Sequence, residues 1–310
     1  MPRAGILDQI GSTPLVRLRR IVPANGAELW LKLEYFNPSG SMKDRMALAM
    51  VQDAERDGRL RAGMTVVEYT GGSTGPALAL VCRAKGYRCR IVIADCFTQE
   101  PILLMRALGA EVEVIESVEG PGRVTAEDMR RMVERAGEIA AESGHYGTDQ
   151  FRNPYIVPRL RDTLGAEVWE QTDGRVTGFC HGVGTATSLM GVAQALEPRS
   201  VFLQAHEPAG SAAIAGGAKG SFAIQGWLGD VPPQFDRDLV RAVEPIEDED
   251  AIAMTLRLAQ EEGIFAGVSS GANVVGALRL AKRLGPDAVV VTLAVDSGFK
   301  YMSGEPYGSL

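Results

Sequence analysis

The chain has 310 residues, with 32 basic and 39 acidic side chains and a formal charge of −7. Hydrophobic residues make up 45% and charged residues 23%, the balance of a folded globule, so disorder is excluded as the main state. The mild acidity gives no electrostatic reason to expect nucleic acid or an anionic membrane as a partner.

Read from its start, Met1 to Asp8, the chain lacks the apolar core of a signal peptide. A helix is predicted over Asp44–Asp57, with Met46, Met50 and Ala54 on one face and Gly58 as its stop. Then come a buried strand at Thr65–Glu68, a helix at Gly75–Lys85, a strand at Cys89–Ala94, a helix at Glu100–Leu108 and a strand at Glu111–Ile115. A helix is expected over Thr125–Ser143, followed by a junction at Gly144–Pro154 and a helix at Tyr155–Gln171. The second half continues with a strand at Val176–Cys180, a helix at Ser188–Leu196 and a strand at Val201–His206. Gly210–Gly220, rich in Gly, Ala and Ser, reads as a mobile loop. Helices at Asp248–Glu262 and Gly271–Leu284 and a strand at Ala288–Ala294 close the pattern. The acidic run Glu247–Asp250 suits a helix N-terminus. Such alternation predicts a parallel sheet covered on both faces. The longest apolar runs are strand-sized, so no membrane span is expected. Cys82, Cys89, Cys96 and Cys180 form no CxxC pair, and His145, His181 and His206 are too scattered for a metal site. Reduced, buried thiols in a cytosolic protein follow.

Four segments carry candidate chemistry. Lys43 stands in the first turn of a helix opened by the Asn37-Pro38-Ser39-Gly40-Ser41 turn. The helix dipole there opposes a cation, and with burial would favour the neutral amine that a Schiff-base lysine needs. The plain alternative is an exposed lysine beside Asp44. Thr70-Gly71-Gly72-Ser73-Thr74-Gly75 joins a strand to a helix; its small residues, hydroxyls and free N–H groups suit a carboxylate or a phosphate, or make a simple turn. Gly182-Val183-Gly184-Thr185-Ala186-Thr187-Ser188 is a second such turn and a good phosphate cradle. It also half-matches a dinucleotide fingerprint, with Thr187 where the third glycine belongs. In Gly267-Val268-Ser269-Ser270-Gly271-Ala272, a serine can meet a ring nitrogen or merely cap a helix.

Together and in this order, the segments resemble the cysteine synthase and cystathionine β-synthase family of pyridoxal-phosphate enzymes. The resemblance runs from Gly11-Ser12-Thr13-Pro14-Leu15-Val16-Arg17-Leu18 to Asp296-Ser297-Gly298-Phe299-Lys300-Tyr301. It implies the fold of the tryptophan synthase β-subunit, two open parallel-sheet α/β domains with pyridoxal 5′-phosphate between them. The larger domain would comprise residues 1–34 and 146–310, and a smaller mobile one residues 35–145. Carried over by position, Lys43 is the lysine joined to the cofactor and the base at the substrate. Gly184, Thr185, Ala186, Thr187 and Ser188 hold the phosphate. Ser269 meets the pyridine nitrogen, leaving the ring unprotonated and a weaker electron sink, suited to β-elimination. Thr70, Gly71, Gly72, Ser73 and Thr74 grip the α-carboxylate of an amino-acid substrate, with Gln150 as a second contact. The implied reaction is β-replacement or β-elimination on an O-activated serine or cysteine by way of an α-aminoacrylate. The implied molecule is a cytoplasmic homodimer, a catalytic core without an appended regulatory module.

Departures from the family pattern are as informative. The substrate loop usually reads Thr-Ser-Gly-Asn-Thr-Gly. Here Gly71 replaces the serine, and Ser73 replaces the asparagine that contacts the cofactor's 3′ oxygen. Ser73 still has one proton to donate. Ala186 and Thr187 replace glycines, and His181 a small residue. Trp227 and Leu228 are expected to reshape the pocket. Asp230 falls where cystathionine β-synthases carry an aspartate, and is a candidate general base or amine-binding group, or a solvated loop residue. These changes point to a non-standard substrate or nucleophile. The alternatives are a sulfide-releasing desulfhydrase or cystathionine β-synthase-like enzyme and, on the Gly182–Gly184 signal, an NAD-linked oxidoreductase.

Overall fold

In chain order the strands are β1 (Leu15–Arg17), β2 (Glu28–Leu33), β3 (Thr65–Tyr69), β4 (Arg88–Ala94), β5 (Glu111–Ile115), β6 (His145–Gly147), β7 (Gly178–Gly182), β8 (Phe202–Pro208), β9 (Ala242–Ile246) and β10 (Val289–Ala294). This computed structural model describes residues 5–24, 26–120, 124–308 and 310; residues 1–4, part of the leader reading, lie outside it. The helices are α1 (Lys43–Arg56), α2 (Thr74–Lys85), α3 (Gln99–Ala107), α4 (Ala126–Ala140), α5 (Ile156–Leu160), α6 (Ala166–Gln171), α7 (Thr187–Leu196), α8 (Asp248–Glu262) and α9 (Val268–Leu284). One sheet has the order β1-β2-β10-β7-β8-β9, and the other β5-β4-β3-β6. All pairings are parallel except β1 with β2. Every residue of β7 and β10 is buried, as helices on both faces of a parallel sheet require. The expected α/β class holds. β6 pairs with β3, so the smaller sheet runs past residue 145.

Four strands were not expected: β1, β2, β6 and β9. β1 and β6 have three residues each, too short for a periodic signal. β9 contains Pro245 and lies at a sheet edge, where a missing N–H is tolerated. β2 contains Lys32, which is wholly buried. Its ammonium donates to the Thr13 carbonyl at 2.7 Å, Glu167 at 2.6 Å and Gln171 at 2.9 Å. Arg45 of α1 bridges Glu167 at 2.7 Å and Glu34 at 2.8 Å. This network fixes α1, two residues beyond Lys43, to the large sheet. Removing one partner of such a buried pair costs about 3–5 kcal/mol.

The single helix expected over Tyr155–Gln171 is α5 and α6, joined by a wider helical turn at Arg161–Gly165. The reason is a close crossing with α7. A Cβ on Gly165 would stand 2.5 Å from Ala195 Cβ, and one on Gly191 would stand 2.6 Å from Leu160 Cβ. Only glycine permits that approach. The expected strand at Val176–Cys180 is displaced to Gly178–Gly182. α9 begins at Val268, a turn before the expected start.

Candidate functional site

Loops at the C-terminal ends of β3, β7 and β10 converge with the first turns of α1 and α9 around a cavity of ≈ 390 Å³, the usual ligand position in an open parallel sheet. The segment before Lys43 is stitched to the end of β10: Met42 N–H donates to the Val295 carbonyl at 2.9 Å, and Ser297 N–H to the Gly40 carbonyl at 3.0 Å. Lys43 is half-buried and lines the cavity. Burial lowers its pKa to about 8; Asp296 opposes that shift and Lys300 adds to it. An exposed lysine paired with Asp44 is therefore not what the fold builds. Asp44 turns to Ser39, accepting from its N–H at 2.7 Å and from its hydroxyl, and burial raises its pKa to about 6.

The β7–α7 turn has the donors for a dianion. Gly184 and Thr185 line the cavity; Ala186, Thr187 and Ser188 are buried in the turn that follows. Ala186 takes a φ of 65°, a left-handed conformation unusual for a residue with a Cβ. Thr185 and Thr187 share a hydrogen bond at 2.9 Å between their hydroxyls. The Thr187 and Ser188 hydroxyls otherwise meet methionine sulfurs at 3.9 Å and 3.6 Å. Sulfur is a weak acceptor, so these donors are available to a stronger one. The first N–H groups of α7 have no helical partner by construction and add the positive end of its dipole. Ser269 is buried, lines the cavity and sits inside the first turn of α9. Gly267 occupies the N-cap position, so Ser269 is not the cap.

Thr70–Thr74 and Gln150 are brought together. Thr74 donates to Gln150 Oε1 at 2.8 Å, and Gln150 Nε2 donates to the Tyr69 carbonyl at 3.0 Å. Beneath them Glu68 accepts from Thr148 Oγ1 at 2.7 Å and from the N–H groups of Gln150 and Tyr69 at 3.0 Å each. Burial pushes the Glu68 pKa up to about 7 against those donors. A Cβ on Gly71 would lie 3.0 Å from the Phe97 ring; the ring fills the space a serine would need. Ser73 lines the cavity, but its single proton goes to Asp296 Oδ2 at 2.9 Å while its oxygen accepts from Lys300 at 3.1 Å.

On the far wall, Trp227 packs on Gly182 so closely that a Cβ there would be 2.0 Å from its ring. His181 lines the cavity beside it, and its Nδ1 lies 3.0 Å from Asn273 Nδ2. Burial first, then His206, lowers its pKa to about 3, so it is neutral. Asp230 lies at the cavity but is paired with Lys219 at 2.6 Å. The Lys219 hydrogen bond holds its carboxyl below the usual range, which weakens it as a base. Phe97 and Asp296 line the cavity without having been singled out for it. For Asp296 a signal was present: a charged residue just past the C-terminal end of a buried parallel strand.

A family model described as "Pyridoxal-phosphate dependent enzyme" matches residues 6–296. The chain is 38% identical over 311 residues to the cysteine synthase of Staphylococcus aureus, covering 99% of this chain and 97% of that protein. It is 40% identical over 306 residues to cysteine synthase B of Escherichia coli, covering 96% and 94%. The structure of O-ureido-L-serine synthase superposes with a TM-score of 0.92 at 36% identity, covering 100% of this chain and 96% of that one.

Proposed function

Because the chain belongs to the pyridoxal-phosphate-dependent enzymes and is cysteine synthase-like along nearly its whole length, we propose that it replaces the β-substituent of an O-activated serine or of cysteine with a nucleophile. The cofactor is pyridoxal phosphate, and the dinucleotide reading of Gly182–Gly184 is set aside. The observation that carries the proposal is convergence: a cavity-facing lysine amine, an anion-binding helix start and a hydroxyl-rich loop meet at one cavity of ≈ 390 Å³.

The residues present fit the cofactor. The buried hydroxyls of Thr187, which meets the Thr185 hydroxyl and the Met46 sulfur, and Ser188, which meets the Met42 sulfur, are the donor set of a phosphate site. Gly184–Ser188 would hold the phosphate, Ser269 the ring nitrogen and Lys43 the aldehyde carbon. When bound, the cofactor supplies an electron sink for charge at the substrate's α-carbon. Thr70–Thr74 and Gln150 bind the α-carboxylate and orient the amino acid. Lys43, with its lowered pKa, takes the proton from the α-carbon. The β-substituent departs with its electron pair, the nucleophile adds at the β-carbon and Lys43 returns a proton to the α-carbon; where no nucleophile adds, water attacking the α-carbon instead releases pyruvate and ammonia. Movement of the smaller unit, residues 35–145 as expected but extended by β6 to Gly147, over the site excludes water.

The similarity to O-ureido-L-serine synthase, whose product carries a ureido group on the serine oxygen, and the Trp227 wall both support a nucleophile other than sulfide. A second reading takes cysteine as substrate and releases sulfide. Its support is the likeness to a hydrogen sulfide-producing enzyme from Fusobacterium nucleatum, 32% identical with a TM-score of 0.88, since Asp230, paired with Lys219, is weakened as a base. The working unit is taken to be a cytoplasmic homodimer, as the family resemblance implies. Among the described residues no helix is long and apolar enough to cross a membrane.

The test incubates the loaded enzyme with O-acetylserine and a panel of nucleophiles including sulfide, measuring acetate and the new amino acid, and in a separate arm measures sulfide from cysteine. Lys43→Ala is expected to reduce turnover by about 10³-fold or more. Release of neither acetate nor sulfide by the wild-type enzyme overturns the proposal.

A further inference from the structure

Asp296 touches three of the four candidate segments. Its backbone forms an antiparallel bridge with Ser41, two residues before Lys43. Its carbonyl accepts from the Gly267 N–H at 3.1 Å, at the start of the helix that bears Ser269. Its side chain, 3% exposed, accepts from Ser73 at 2.9 Å and from the Tyr301 hydroxyl at 2.7 Å, both on Oδ2. Oδ1 is buried and has no hydrogen-bond partner among the described residues. Behind Ser73 stands Lys300, a second buried ammonium, whose contact at 3.1 Å fills the acceptor side of the same hydroxyl.

A serine hydroxyl has one proton. Here that proton is committed to a carboxylate, and the oxygen is already engaged by a cation. Ser73 thus differs from the carboxamide that the family pattern places at this position in charge environment as well as in length. An asparagine brings two N–H donors and no net charge. Ser73 brings an acid and a base with it.

We propose that Asp296 and Lys300 form a charged positioning pair that fixes the Ser73 hydroxyl and sets the balance of charge beside Lys43, in place of the family's neutral asparagine. The proposal rests on Lys43 being the lysine joined to the cofactor. The two residues act with opposite sign. Asp296 favours positive charge at the Lys43 nitrogen and Lys300 disfavours it. Neither needs to touch the substrate. Tyr301, hydrogen-bonded to the carboxylate, holds its direction.

The experiment is a pH titration of the visible absorbance of the cofactor-loaded protein with no amino acid present. Asp296→Asn is expected to lower the pH midpoint of the band conversion, and Lys300→Met to raise it, each by about one unit or more for a buried charge beside the titrating group. Lys300→Arg is expected to restore the wild-type midpoint. A purely structural role moves thermal stability but gives no shifts of opposite sign. Midpoints equal to the wild type, or displaced in the same direction in both variants, overturn the proposal. If Asp296→Asn does not fold, Lys300→Met with its Arg rescue decides alone: an unmoved midpoint refutes, and a raised one that arginine reverses supports. No turnover is measured, so failure of the proposed β-replacement leaves this readout intact. Persistence of the lysine-linked band in Lys43→Ala would instead remove the premise.

Discussion

Gly71 and Phe97 show how one missing side chain reshapes a loop. The Phe97 ring lies 3.0 Å from where a Gly71 Cβ would be, so Gly71→Ser must displace it. Overpacking of this kind costs about 1–3 kcal/mol. Gly71→Ser is therefore expected to lower the melting temperature and raise KM for the amino acid, and Gly71→Ser with Phe97→Met to recover most of both losses. Strict additivity in that double-mutant cycle would show the two positions to be independent. Lys43 was legible because its turn and helix are local. Asp296 as a partner of Ser73 was not, since that contact spans 223 positions. Phe97 was hidden for the same reason: nothing near it in sequence says which loop it faces.

At the scale of elements, β3 carries a pH-sensitive clamp. Glu68 ties β3 to the Gln150 segment through Thr148 and two backbone N–H groups. Its pKa is raised from 4.5 to about 7, with burial as the largest cause. The stabilisation from its protonated form is complete below 4.5 and is lost as pH rises through about 7. Glu68→Gln removes that dependence. Between those pH values the variant should gain on the wild type by about 1.4 kcal/mol per pH unit, measured by urea unfolding at several pH values. A constant difference across the range would refute the clamp's titration. The interior strands and most helices were readable because apolar runs and 3.6-residue periodicity are local properties. β2 was not, because Lys32 reads as a surface residue until Glu167, 135 positions away, is brought to it.

Across the whole molecule, two neutral histidines sit in the interior of the larger sheet. His181 and His206 are both buried, and burial lowers each pKa from 6.5 to about 3. Their contribution to stability is complete above 6.5 and is lost as pH falls toward 3, because the unfolded chain takes up the protons first. His206→Gln is expected to be less stable than the wild type at pH 7, since the ring packs against Gly276. It should lose less on acidification, by about 1.4 kcal/mol per pH unit below the ordinary histidine value. Parallel stability curves for the two proteins between pH 7 and 5 would show that His206 does not titrate in this way. Other groups that titrate in the same range cancel in the difference.

The fit between Phe97 and the empty side of Gly71 also constrains the relatives of this chain. Serine at 71 together with phenylalanine at 97 is the combination that the geometry penalises. A relative that keeps the common loop's serine at 71 is therefore expected to carry a smaller residue than phenylalanine at 97.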